Sequence, residues 1–572
     1  MTAVSGSSPY DGGSAGIATG PNGALASPAL IAQGALLEKR LYTVAPGIWS
    51  AVGYGMSNSV AIAAPDGLIV IDTGEGLEES AEHLAAFRGV TAAPVRAVIY
   101  SHSHYAHGTP TWQKEAGAPL PIWGHARLRA NVSDVAAEIG PAYSRRARAQ
   151  FSFYLPDTGP DAMPNQGLGP LFFHKDRATT RRFVAPTEEV GEECTVTIAG
   201  TRVHFVPAAS DSDDTLIIGF PDLDCVVNNH IWPVLFNIYT LRGEAYRDPL
   251  QLVRAIDRIR AMDPLHLVGV HGPPISGRDR VRQALADHRD SIQFLWDQTV
   301  RGINDGLAIE EIVARVKLPP RLAASPYIPP CYGEVPYHVR AIHNGVLGWY
   351  DMDAARLHPL PPAEEARRMV AGFGGRAAMT RAVDDALAAR NWSWAAQLAN
   401  YLMRDDPADA GARTLKARAL RGIAQVTSAA NTRSICLTEA LTLEGQIDPM
   451  AESAWRANRF QVMNAPPLRF LEALRVQLDP ARAAAADIAL DLHLTDRDVT
   501  GSLHVIGGVA RFAPAAHPRA ELRLALTQGI WADLYAGKRT LAQAVADGAA
   551  AASPSADAVA AFFDLFDHVH LR

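Results

Sequence analysis

Between residues 41 and 71 short apolar runs alternate with turn residues. Residues 41–44, 47–52 and 59–64 predict strands, and Pro65-Asp66-Gly67 marks a hairpin turn before the unbroken apolar run 68–71, a buried strand. The period then changes. Residues 77–88 predict a helix whose first turn carries Glu78 and Glu79, where the helix dipole favours negative charge. Residues 95–101 return to strand. Further on, residues 195–207 predict a hairpin that turns at Ala199-Gly200, and 216–220 with 225–227 predict a second. His204, inside a strand, reads as structural. Residues 265–271 form a strand that stops at His271, before a Gly-Pro turn.

The pattern turns helical from residue 361 to about 444. Residues 391–398 and 405–410 read as one helix-turn-helix of TPR type, and a single pair of that kind must pack on its surroundings to bury its faces. Trp392 and Trp394 are therefore expected in a core. A helix opens at Leu468, and 487–494, 501–506 and 521–526 alternate as strands before closing helices.

Length and charge narrow the class. A chain of 572 residues holds three or four domains. A net charge of −7 argues against nucleic acid as a partner, and no run reaches the roughly 18–20 apolar residues of a membrane span. Cys194, Cys225, Cys331 and Cys436 are far apart in sequence and read as reduced thiols. The first 35 residues are rich in Gly, Ser, Ala and Pro without a basic or apolar leader pattern. They predict a flexible arm over residues 1–40 and a cytoplasmic protein.

The chemistry gathers where strand 95–101 ends, in Ser101-His102-Ser103-His104-Tyr105-Ala106-His107-Gly108. Neutral imidazole is the commonest side chain for borderline divalent metals. Two histidines spaced HxH at a strand end point to one side, and His107 can swing across the loop to a second position. With 19 histidines in 572 residues, three within six is improbable by chance, so the loop predicts a metal site.

The loop resembles the HxHxDH signature of the metallo-β-lactamase superfamily, with Ala106 where that family has aspartate. The resemblance implies an α/β fold, an αββα sandwich over residues 41–317, and a bracing role for Asp72 beside the metal loop. Other segments resemble the alkyl sulfatases, type III sulfatases built on that fold. Thr240-Leu241-Arg242-Gly243 matches their TLRG segment. Tyr332-Gly333-Glu334-Val335-Pro336-Tyr337-His338-Val339-Arg340-Ala341 and Leu347-Gly348-Trp349-Tyr350-Asp351 are similar to the YGxxSHNVRA and LGWFD of their helical dimerisation domain, here 318–450. Residues 451–572 resemble the sterol-carrier-protein-like domain that closes them.

By that resemblance the metal ligands are His102, His104, His107, His271 and a carboxylate at Ser210 or Asp211, with Asp211 the better donor. A bridging glutamate of the family falls at Asn228 or Asn229, with His230 alongside. Arg242 faces the sulfate, and Tyr337 or His338 assists the leaving group. Phe151 and Phe153 stand where the family grips sulfate with a tyrosine and an asparagine, and Tyr105 joins the substrate contacts. The implied enzyme is a homodimeric metallohydrolase with about one divalent ion per chain, zinc or iron. Its hydroxide would attack a sulfate or related ester of a small molecule with an apolar part, or the carbon bearing the sulfate. The loss of hydrogen-bonding groups at Phe151 and Phe153 predicts poor turnover of dodecyl sulfate. Two histidines and one carboxylate also form the facial set of mononuclear non-haem iron, so an oxidoreductase is a second reading. A non-catalytic ligand-binding relative is a third.

Overall fold

The computed structural model describes residues 16–134, 138–170, 178–451, 458–567 and 571. The chain divides into two compact units, one running to Ala126 and resuming over Ala147–Pro449, the other made of Arg127–Arg146 and Met450–Arg572.

The first unit is built on two sheets. One has seven strands in the order Arg40–Ala45, Ile48–Val52, Ser59–Ala64, Gly67–Ile71, Val95–Ile99, Ile122–His125, Glu188–Val190. The other has six, in the order Cys194–Ile198, Thr201–Pro207, Leu216–Phe220, Cys225–Asn228, His266–Gly269, Ile275–Ser276. Strand alternation explains how they stack. Leu216, Ile218 and Phe220 meet Ile62, Ile69 and Ile99 in a core between the sheets. Ile217 faces the other way, in a cluster with Leu252, Ile256 and Ile259 of the helix Pro249–Met262. One face thus packs sheet on sheet and the other packs helix on sheet, the expected sandwich. Gly67–Ile71 is buried throughout, as befits a strand pairing in parallel with Val95–Ile99 in the middle of its sheet. Its end and that of Val95–Ile99 set Asp72 and His102 side by side.

The helical stretch from 318 packs on the sandwich, since Val339, Ile342 and Leu437 share one buried cluster with Leu285 and Ile256. Two expectations about organisation change. Residues 127–146, expected within the sandwich domain, belong to the second unit, where Glu138 receives Arg469 (3.3 Å) and Arg475 (2.9 Å). The segment 1–40 is no arm from Gly16 on. It forms a two-strand ladder and the helix Pro28–Gln33, with Leu30 fully buried. Buried Gln33 donates to the carbonyls of Gly167 (3.0 Å) and Pro233 (2.9 Å), and Arg433 donates to that of Leu25 (2.7 Å). Residues 1–15 lie outside the described residues.

The helix pair is Trp392–Asp405 and Ala410–Val426, capped by the side chains of Asn391 and Asp409. Trp392 packs hard against Gly422, where a β-carbon would come within 2.3 Å of the indole. Trp394 is instead 42% exposed, outside the core expected for it. His204 is structural, bonded to Thr195 (2.9 Å).

The second unit carries a five-stranded sheet, Val509–Ala513, Val499–Ile506, Asp487–Leu494, Leu522–Leu526, Ala550–Ser553. Trp531, Phe562 and Phe563 from its helices close over Leu490, Leu492 and Leu524 in its own core. Among the described residues no helix is long and apolar enough to cross a membrane. All four cysteines are free.

Candidate metal centre

The histidine loop is held from two sides. Asp72, in the left-handed region at φ 58°, accepts hydrogen bonds from the Ser101 amide (2.8 Å) and the Ser101 hydroxyl (2.6 Å). The same hydroxyl lies 2.8 Å from His102 Nδ1. Because its hydrogen goes to Asp72, its oxygen accepts from Nδ1–H, which leaves the lone pair of Nε2 facing the centre. Burial pushes the Asp72 carboxyl up to about 7, against the two bonds from Ser101. From the second sheet, Asp214 accepts from the Ser103 amide (3.1 Å) and the Leu216 amide donates to the Ser101 carbonyl (2.8 Å).

His102 Nε2 lies 3.2 Å from His104 Nδ1, and the Asp211 carboxylate lies 3.3 Å from His104 and 3.8 Å from His102. Ligands at about 2.0–2.2 Å around a tetrahedral ion sit about 3.3 Å apart, so these three edges suit one face of such a site. His102, His104 and Asp211 are the one group of three metal-binding side chains gathered within 4.8 Å among the described residues. Burial pushes His102 down to about 3, keeping it neutral. Burial also raises Asp211, but His102, His104 and Arg247 outweigh it and hold the carboxyl well below its usual range. A neutral imidazole and an ionised carboxylate are the forms a metal takes.

The structure does not bring His107 and His271 into this group. His107 is buried, and its amide donates to the Gly74 carbonyl (3.1 Å). Ala106 pairs with Gly74 in a parallel bridge. His271 Nδ1 sits 2.9 Å from the Met56 carbonyl, which fixes the proton there and leaves Nε2 as an acceptor 3.4 Å from the Tyr105 hydroxyl. The Tyr105 ring stands between the two regions, 5.0 Å from the His102 ring and 5.6 Å from that of His271.

The open alternatives in the sequence resolve in geometry. Ser210 turns its hydroxyl to the Asn229 carbonyl, while Asp211 faces the histidines. Asn228 caps the following turn, accepting from the amides of His230 and Ile231 at 2.9 Å each. Asn229 is the one beside the centre. Its Nδ2 donates to Asp211 (2.6 Å), and its Oδ1 accepts from the Trp232 indole (3.0 Å). With its oxygen spent on Trp232, it supports the carboxylate as a donor. His230 points to the Ala209 carbonyl (3.2 Å).

Gln150 anchors the segment that carries Arg242. Its Oε1 accepts from the Thr240 hydroxyl (2.9 Å) and the Arg242 amide (2.7 Å). The Arg242 guanidinium lies over the Phe151 ring at 5.5 Å and is ion-paired with Glu244, which also holds Arg247. Phe153 instead stacks under Arg148 at 4.8 Å. Tyr337 directs its hydroxyl to the Tyr332 carbonyl (3.3 Å), and His338 Nε2 lies 3.3 Å from Asn237 Oδ1. Burial, then Arg247, pushes His338 down to about 3. The tyrosine on the near side is Tyr332. Its hydroxyl receives Gln150 Nε2 (3.4 Å), its ring meets Trp232 at 6.1 Å, and burial raises its pKa against Arg242 and Arg247.

Three residues here carry no role in the sequence pattern alone. Tyr332 lies inside the dimerisation-domain motif, Glu244 follows directly on the TLRG segment, and Glu75 is a buried carboxylate paired with Arg181 (2.7 Å). An acidic residue two places after a candidate anion-binding arginine was the available signal for Glu244.

Residues 308–446 match the family model for alkyl sulfatase dimerisation, 457–572 that for the alkyl sulfatase C-terminal domain, and 52–108 that for the metallo-β-lactamase superfamily. The chain is 35% identical over 495 residues to a linear primary-alkylsulfatase of Pseudomonas sp. (strain ATCC 19151), covering 84% of this chain and 93% of the relative. It is 29% identical over 552 residues to an (R)-specific secondary-alkylsulfatase of Pseudomonas sp., covering 92% and 80%. The solved structure of the stereoselective inverting sec-alkylsulfatase Pisa1 from Pseudomonas sp. superposes with a TM-score of 0.85 at 26% identity, over 95% of this chain and 87% of that one.

Proposed function

Because the chain belongs to the alkyl sulfatase family of the metallo-β-lactamase fold, we propose that it hydrolyses sulfate esters with a bulky or aromatic apolar remainder, using one zinc ion per chain. The observation that carries this reading is a three-donor group, His102, His104 and Asp211, whose carboxylate acts on Tyr105 and Tyr332 together with a buried arginine, Arg242, backed by an aromatic ring. Two imidazoles and a carboxylate suit zinc. When bound there, such an ion supplies Lewis acidity and lowers the pKa of water. The relatives carry sulfatase names, which favours hydrolysis over oxygen chemistry or ligand binding alone.

The chain's own residues do the remaining work. Arg242 holds the ester anion, with Phe151 fixing the plane of the guanidinium. Met56, Phe151, Trp232, Phe236 and Tyr332 belong to one buried apolar cluster, which would shelter the remainder from water. Tyr332, a neutral phenol held by Gln150, keeps a proton available for the leaving oxygen in place of Tyr337. His338 acts at a distance, since Asn237 receives both His338 and, at its carbonyl (2.6 Å), Arg247. Single-ion loading follows from Ala106, from an Asn229 turned to Trp232, and from a Tyr105 hydroxyl already on His271.

We place the protein in the cytoplasm, where its free cysteines stay reduced. We assign it as a homodimer on the exposed Leu347, Trp349, Met352, Leu357 and Leu360 within the dimerisation match. The test of function is release of inorganic sulfate from alkyl and aryl sulfates by the zinc-loaded protein. Loss of both zinc and release in Asp211→Ala supports it. Release that survives without metal contradicts it.

A further inference from the structure

The helix Ala430–Leu443 buries Asn431, Ser434 and Thr438, three and four residues apart, a polar stripe where packing alone calls for apolar side chains. Its start docks beside Tyr332. The Ala430 amide donates to the Cys331 carbonyl (2.9 Å), the Thr432 hydroxyl to Glu334 (2.7 Å) and the Ser434 hydroxyl to the Ala149 carbonyl (2.6 Å). Asn431, with no exposed surface, is thereby fixed between the neighbours of Tyr332 and Gln150. Both carboxamides address the Tyr332 hydroxyl. Gln150 Oε1 is spent on the Thr240 hydroxyl (2.9 Å) and the Arg242 amide (2.7 Å), so Nε2 is the end at Tyr332 (3.4 Å), where it donates. Burial chiefly raises the pKa of this phenol and Asp211 adds to that, while Arg242, Arg247 and the Asn431 side chain lower it. Asn431 nevertheless completes no hydrogen bond within the fold through either Nδ2 or Oδ1. A buried carboxamide left incomplete points to a role in the reaction.

We propose that Asn431 is a positioning residue for the reaction, donating from Nδ2 to the Tyr332 oxygen as that phenol gives up its proton. With N–H groups of Gln150 and Asn431 on its oxygen, the phenol turns its hydrogen away from both and toward the leaving oxygen. When an aryl sulfate is cleaved, the electron pair of the broken S–O bond goes to the leaving oxygen, which takes the Tyr332 proton. Gln150 and Asn431 hold the resulting phenolate until the proton released by the attacking water restores it. The Asn431 bond strengthens as charge develops on the phenol, so it counts for more in the transition state than in the resting protein.

This inference rests on Tyr332 being the proton donor, and the test keeps the two apart. The kcat of zinc-loaded full-length protein is measured on phenyl sulfate, whose basic phenolate needs a proton to leave, and on 4-nitrophenyl sulfate, whose phenolate leaves with little help. Asn431→Leu should slow phenyl sulfate by about 10–100-fold and 4-nitrophenyl sulfate by roughly threefold or less. Asn431→Asp, which keeps the shape and loses the donor, should show the same split, and melting temperatures show which variants are folded. An equal loss on both esters in a folded variant, or no loss on either, overturns the role and makes Asn431 a packing residue. Tyr332→Phe should give a larger split, and adding Asn431→Leu to it should change nothing further. If Tyr332→Phe turns over phenyl sulfate as the parent does, the proton-donor reading itself fails, whatever Asn431 does.

Discussion

Ser101→Ala removes one hydroxyl and tests how the metal histidine is aimed. That hydroxyl donates to Asp72 at 2.6 Å and accepts from His102 Nδ1 at 2.8 Å. Its loss leaves Asp72 with the Ser101 amide at 2.8 Å and takes away the hydrogen-bond acceptor for Nδ1–H. A hydrogen bond to a buried carboxylate is worth about 1.5–3 kcal/mol, so the metal-free protein should lose stability on that scale. Freed of its acceptor, the His102 ring loses its fixed tautomer and orientation, which typically costs about 10–100-fold in metal affinity. Asn229 Nδ2, 3.4 Å from His102, is a donor and does not substitute. Ser101→Thr keeps the oxygen and should retain most of the affinity. Zinc affinity by competition with a chromophoric chelator measures the first effect, and denaturant unfolding of the metal-free protein the second. A zinc affinity within about twofold of the parent would refute the relay.

Replacing Trp349 and Met352, 63% and 80% exposed, by lysine should convert the proposed dimer to monomer in light scattering; a dimer that persists would move the interface elsewhere. Buried His338 titrates near 3, far below its ordinary 6.5, so the unfolded chain takes up a proton that the folded one refuses. Its contribution is present above pH 6.5 and is lost as pH falls toward about 3, at about 1.4 kcal/mol per pH unit. His338→Gln should therefore flatten the fall of unfolding free energy between pH 6 and 4, and an unchanged slope would show that His338 protonates freely in the fold. Phe151 under Arg242 offers a ring face and no hydrogen bond, which predicts slower turnover of dodecyl sulfate than of aryl sulfates, read as kcat/KM; the reverse order would mean that other groups grip the sulfate.

Local features were legible and distant ones were not. The strand Val95–Ile99 and the HxH that follows lie within ten residues, so periodicity alone places both imidazoles at a strand end. Asp211 and Asn229 reach the same point from the other sheet. There a one-residue difference decides whether a side chain faces His102 or caps the next turn, as Asn229 and Asn228 do. Composition misled at the N-terminus, because Leu30 and Gln33 find burial partners more than 130 residues away. The exchange of 127–146 to the second unit depends on Glu138 meeting Arg469 and Arg475, a pairing with no local sign. His107 and His271 matched a ligand pattern, and both lie outside the group formed by His102, His104 and Asp211, with His271 Nε2 3.4 Å from the Tyr105 hydroxyl.

Elemental analysis of the purified full-length protein, dialysed against a mild chelator, tests the single-ion centre most directly. One zinc per chain is expected, falling to none in Asp211→Ala, with a second equivalent only when Ala106→Asp and Asn229→Glu are combined. Two tightly held ions in the parent protein would contradict it.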